Sequence, residues 1–96
     1  MKVFKNKNNG KEVVFNSNFE RMLEKNVNLN NHSYIRYRIA LAFGKKIYAK
    51  LFLNLHERSY MTQELINRRI ELCRDMMGEI KRDYGVESVK YLKRFL

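Results

Sequence analysis

The chain has no proline and no tryptophan, a single cysteine, four glycines, and ten acidic residues against twenty basic ones. Each shortage removes a class of protein. One cysteine, Cys73, cannot close an intramolecular disulfide, which excludes a secreted disulfide scaffold. The glycines are scattered and neither GxxxxGKS/T nor GxGxxG occurs, so no nucleotide-cradling loop is written in the chain. With two histidines and that one cysteine, a zinc site would need carboxylates at spacings the sequence does not offer. No nucleophile is patterned with a base, and no pair of acids is set apart for acid–base work. The sequence therefore predicts a non-catalytic protein without metal or cofactor.

Long apolar runs are lacking too. The longest, Ile35 to Leu55, is interrupted by Arg36, Arg38, Lys45, Lys46 and Lys50, each costly at a bilayer centre, so no membrane span is expected. The opening MKVFKNKNNG has no apolar core of signal-peptide length, which predicts a cytoplasmic location. No linker composition and no repeat of roughly twenty to fifty residues is visible. At 96 residues the chain is the size of one domain, and a single basic domain over residues 1–96 is expected. The missing proline and the heavy use of Lys, Asn and Ile suit an AT-rich genome, as in low-GC bacteria, their phages and their plasmids.

What remains is apolar bulk and positive charge. Apolar residues form 45% of the chain, and six Phe with six Tyr supply large pieces to bury. The formal net charge of +10 exceeds what solubility asks of so small a surface, which points to an anionic partner.

The pattern predicts an α+β, mainly helical fold: an N-terminal β-hairpin followed by three or four helices. Val3-Phe4 and Val13-Val14-Phe15 flank a polar stretch whose Asn9-Gly10 pair suits a tight turn, giving a hairpin over 2–15 that must pack on helices or on another chain. Asn16, Ser17 and Asn18 are all good N-caps, and Ser17 with Glu20 has capping-box spacing, so a helix is expected over 17–26. A loop follows. Residues 34–58 are apolar on almost every side apart from a stripe of Lys46, Lys50, Asn54 and Glu57, and read as one buried helix in which Gly44 marks a kink or a close crossing. Thr62 opens a helix over 62–84 that Gly85 stops. Residues 88–96 read as a short helix capped by Ser88, with a third strand as the alternative.

Three basic groups are candidate contacts to nucleic acid or another anion. Lys5, Lys7 and Lys11 crowd the hairpin tip; Arg36, Arg38, Lys45, Lys46 and Lys50 rim the long helix, interleaved with Tyr34, Tyr37 and Tyr48; Lys90, Lys93 and Arg94 share one face of the C-terminal helix. The alternative for the tyrosines is ordinary core packing. Cys73, on an apolar face, is expected to act as a small hydrophobe, and the methionines as core filler. Arg69 projects into the middle of that same face, between Leu65, Ile66, Leu72 and Cys73. A guanidinium there requires a partner. A salt bridge to Glu20, Glu24 or Glu57 is the expectation, and contact with a partner's acid or phosphate the alternative.

The functional expectation is a small nucleic-acid-binding accessory protein, for DNA or RNA, held by Lys and Arg contacts to phosphates. A helix-turn-helix sought over residues 59–77 lacks its turn. The alternative is an inhibitor or adaptor of the phage or plasmid type that binds an acidic protein surface or a nucleoprotein complex. Membrane attachment through YLKRFL is disfavoured by its shortness. A lone hairpin and an apolar helix both want cover, which makes a homodimer an expectation as well.

Overall fold

Strand alternation, helix caps and left-handed turns divide the described residues into a hairpin and five helices, an α+β fold that is mainly helical. The computed structural model describes residues 1–58 and 60–96; Ser59, the first residue of the stretch searched for a helix-turn-helix, lies outside them.

The hairpin pairs β1 (Lys2–Lys5) with β2 (Glu12–Phe15) antiparallel, Phe4 opposite Val13 and Lys2 opposite Phe15. Strand alternation turns Phe4, Val13 and Phe15 inward and leaves Val3 and Val14 exposed. The turn is longer than the two-residue type expected from Asn9-Gly10. Asn6 N–H donates to the Lys11 carbonyl (2.8 Å) and Gly10 N–H to that of Asn6 (2.9 Å). Only Gly10 enters the left-handed region, at φ 73. Asn9 keeps ordinary backbone and uses its side chain instead, accepting from Lys11 N–H at 2.9 Å.

Helix α1 (Ser17–Asn28) begins one residue earlier in its capping than the capping-box spacing predicted: Asn16 accepts from Phe19 N–H at 2.9 Å. The Ser17–Glu20 box is not formed: with Asn16 as the cap, Ser17 is already inside the helix, and the Glu20 carboxylate meets Tyr91 and Arg94. The helix ends with Asn30 at φ 58, where Asn30 N–H bonds Val27 O and Asn31 N–H bonds Asn26 O, the paired closure of a Schellman turn.

The largest departure from expectation follows. Residues 34–58 are two helices, α2 (His32–Ala42) and α3 (Lys46–His56), folded against each other. Gly44, at φ 71, is the reason: its N–H bonds Leu41 O and the next, of Lys45, bonds Ala40 O, a second Schellman closure with glycine at the position that tolerates left-handed backbone. The apolar residues that surrounded one long projection belong to two faces, Ile35, Ile39 and Ala40 on α2 and Ala49, Phe52 and Leu55 on α3.

Helix α4 (Gln63–Tyr84) keeps its predicted span, with Thr62 Oγ1 accepting from Leu65 N–H and Gly85 at φ 96 ending it. Helix α5 is Val86–Leu92 rather than 88–96. Ser88 is buried instead of capping: its hydroxyl donates to Gly85 O at 2.6 Å and fastens the turn into the helix. The segment is helical, so the third strand is not formed.

Aromatic rings join these parts. Phe15 lies 6.2 Å from Phe4, 4.8 Å from Phe19, 5.7 Å from Phe43 and 5.6 Å from Tyr91, centroid to centroid. One ring thus contacts the hairpin, α1, the α2–α3 turn and α5, so the hairpin's apolar face finds its cover within the chain.

Candidate functional site

Lys45 follows the Gly44 turn and is swung inward, its side chain 17% exposed. Its ammonium lies 3.1 Å from Glu79 Oε1 and 3.1 Å from Asp83 Oδ2, both on α4. Burial opposes this charge, but the bonds to Asp83 and Glu79 outweigh it and hold the Lys45 pKa above the ordinary lysine value. Asp83 also accepts from Arg82 Nε at 3.1 Å and Asn8 Nδ2 at 3.2 Å, and its backbone carbonyl accepts from Lys7 N–H at 2.8 Å. Arg82 and Lys45 together hold the Asp83 carboxyl below its usual range. Lys45, expected among the anion contacts, is therefore a structural tie between two helices.

Arg94 is also occupied. It lies 3.0 Å from Glu24 and 3.7 Å from Glu20, with its guanidinium over the rings of Phe95 (5.0 Å) and Tyr91 (5.5 Å). The Tyr91 hydroxyl donates to Glu20; burial and that carboxylate push its pKa up. Lys90 faces Glu87 at 3.7 Å, a pair so exposed that solvent screens most of it. Arg38 donates to the Tyr34 hydroxyl at 2.9 Å and lies 5.7 Å over the Phe19 ring. Tyr37 and Tyr48 pack on the core, which favours the packing account of the tyrosines.

The candidates that remain outward and outside any ion pair among the described residues are Lys46 and Lys50 on α3, Lys5, Lys7 and Lys11 at the hairpin tip, and Lys93 after α5. Of the twenty Lys and Arg, four (Lys45, Arg82, Lys90 and Arg94) lie in such pairs. Lys46, Lys50 and Asn54, four residues apart, form one exposed stripe along α3, beside an Ile47 that is 77% exposed. The break at Gly44 is what turns this stripe outward as a face of a short separate helix.

Arg69 overturns the salt-bridge expectation. Glu20 and Glu24 are engaged by Tyr91 and Arg94, and Glu57 is exposed. Arg69 has no acidic partner among the described residues; its charged neighbour is Arg36 of α2, and burial together with Arg36 lowers its pKa. Arg69 Nε, Arg36 Nε and Nη1, and Ser33 Oγ are all buried without a hydrogen-bond partner among the described residues. His32 stands by them, its pKa lowered by burial, Arg36 and Arg69. Sequence reasoning passed over His32 and Ser33 because they close a loop rich in turn formers. The available signal was Arg36 itself, one helical turn after His32.

Among the described residues no group of three or more His, Cys, Asp and Glu is placed to hold a metal ion, and no helix is long and apolar enough to cross a membrane. No protein-family model, curated protein or solved structure matches this chain.

Proposed function

We propose that this chain is a small, basic, non-catalytic accessory protein that binds DNA or RNA, with the exposed stripe of Lys46, Lys50 and Asn54 on α3 as its leading contact. The observation that carries the reading is that these lysines stand outward and outside any ion pair among the described residues. Phosphates supply that neutralisation and release counterions as they do so. Lys5, Lys7 and Lys11 at the hairpin tip and Lys93 after α5 are further exposed lysines, and lysine contacts of this kind suit backbone contact more than base reading.

The test is fluorescence anisotropy with duplex DNA, single-stranded DNA and structured RNA across a salt series. Micromolar or tighter binding, with a slope of log affinity on log salt of roughly −4 or steeper, supports several phosphate contacts. No binding at low salt overturns the reading.

A second reading, an inhibitor or adaptor for an acidic protein or a nucleoprotein complex, draws on Ile47, a large apolar side chain left open to solvent inside a basic rim. Under that reading Ile47→Ser abolishes capture of the partner, whereas nucleic-acid binding tolerates it.

A further inference from the structure

We propose that the cleft between the start of α2, the end of α3 and the start of α4 binds a phosphate monoester, held by Arg69, Arg58, the Ser33 hydroxyl and the free backbone N–H groups that open α2. The cleft measures about 250 Å³, and its described lining includes His32, Ser33, His56, Arg58, Tyr60 and Arg69, with no acidic residue. The site is separate from the α3 lysine stripe, and the inference stands whether or not nucleic acid binds there.

Four observations meet at this place. First, Arg69 lines the cleft with Arg36 as its charged neighbour and no carboxylate among the described residues, an arrangement that costs stability unless an anion completes it. Second, Arg69 Nε is buried without an acceptor among the described residues, so it is a donor in want of an oxygen. Third, Ser33 is 4% exposed, lines the cleft and has an unpartnered hydroxyl, a buried polar atom that a protein rarely leaves unused. Fourth, the first backbone bond of α2 runs from Ile35 N–H to Asn31 O; Asn31 makes no side-chain cap, and no acid occupies the first turn. The N–H groups of His32, Ser33 and Tyr34 thus open the helix uncapped, with the positive end of its dipole at the cleft.

The count of donors selects the anion. A carboxylate brings two oxygens and one negative charge. A phosphate monoester brings three terminal oxygens and about two charges at neutral pH, which matches the guanidiniums of Arg69 and Arg58, a hydroxyl and the helix end. Arg58 is exposed at the edge of the cleft and extends the positive field to its mouth.

The test is a titration of backbone amide resonances with sodium phosphate against sodium chloride at matched ionic strength. The amides of His32, Ser33 and Tyr34 are expected to shift saturably with phosphate and not with chloride. Arg69→Met is expected to weaken the phosphate affinity about tenfold or more, and Ser33→Ala several-fold, as for lost charge-assisted bonds, while Lys50→Ala leaves it unchanged. If Arg69→Met fails to fold, Ser33→Ala decides. Absence of a saturable shift, or a shift that both variants retain in full, overturns the site. A second arm compares 5′-phosphorylated with 5′-hydroxyl oligonucleotide as competitor. Competition by the phosphorylated strand alone assigns the group to a strand end, and competition only by a nucleoside monophosphate assigns it to a small ester. Failure of duplex binding in the anisotropy experiment leaves this titration untouched, so the two proposals fall separately.

Discussion

Lys45 Nζ stands 3.1 Å from Asp83 Oδ2 and fixes the α2–α3 turn to the last turn of α4. Since Asp83 is 7% exposed and also receives Asn8 and the Lys7 backbone, one carboxylate gathers the hairpin tip, a helix turn and a helix end.

This hub predicts a stability optimum with limbs of opposite sign. Arg82 and Lys45 hold Asp83 below its usual 3.8, and Tyr48 and Lys45 hold Glu79 below 4.5. Depressed carboxylates stabilise above their unfolded values and lose that contribution as pH falls through the folded ones, so thermal midpoints should drop as pH passes below about 4.5. On the alkaline side the Glu79 carboxylate pushes Tyr48 up from 10.0 to about 12, and Lys45 lies above 10.5. Raised groups contribute fully below their unfolded values and lose it above them, so midpoints should fall again from about pH 10 toward 12. Lys45→Met should flatten both limbs in a melting series.

The same substitution separates structure from contact. Lys45→Met should lower the melting temperature while leaving the salt slope of nucleic-acid binding in place. Lys46→Ala and Lys50→Ala should each reduce that slope by about 1 with little effect on melting.

Phe15 holds the hairpin to three other parts of the fold. Phe15→Ala should cost about 3–5 kcal/mol in urea denaturation, a large share of what a domain of this size has to lose. Tyr91→Phe, which removes only the hydroxyl bonded to Glu20, should cost about 1 kcal/mol.

Arg69→Met should move stability the other way. Removing one unpartnered buried donor beside Arg36 should return about 1 kcal/mol in phosphate-free buffer. Added phosphate should raise the melting temperature of the parent protein more than that of the variant.

The sequence carried α4 almost to the residue because Thr62 and Gly85 punctuate it and its apolar spacing never breaks. The hairpin was legible from its alternation. The α2–α3 division was not, since an apolar pattern on all sides reads the same for one buried helix and for two short helices burying different faces. Gly44 was visible, but one glycine inside a helical pattern reads as a kink as readily as a turn. Capping at Asn16 was hidden by three good cap residues in a row. At the candidate sites, adjacent Lys45 and Lys46 look alike in sequence yet one is tied to acids and the other free, a difference set by the reversal at Gly44. The unpaired state of Arg69 depended on which carboxylates Tyr91 and Arg94 would claim from some seventy positions away, |i−j| 71 and 70.

A methyl group placed on Gly44 would meet nothing within 4 Å, so a side chain there would be opposed by the left-handed backbone alone, at about 1–2 kcal/mol. Straightened, residues 32–56 would form a rod of about 37 Å, against a longest molecular extent of 39 Å. Its parted apolar faces would then be covered by the same faces of a second copy, an exchange of arms between molecules. Gly44→Ala should thus shift the protein toward an intertwined dimer whose population grows with concentration, which makes this one dihedral angle a determinant of how many chains share a core.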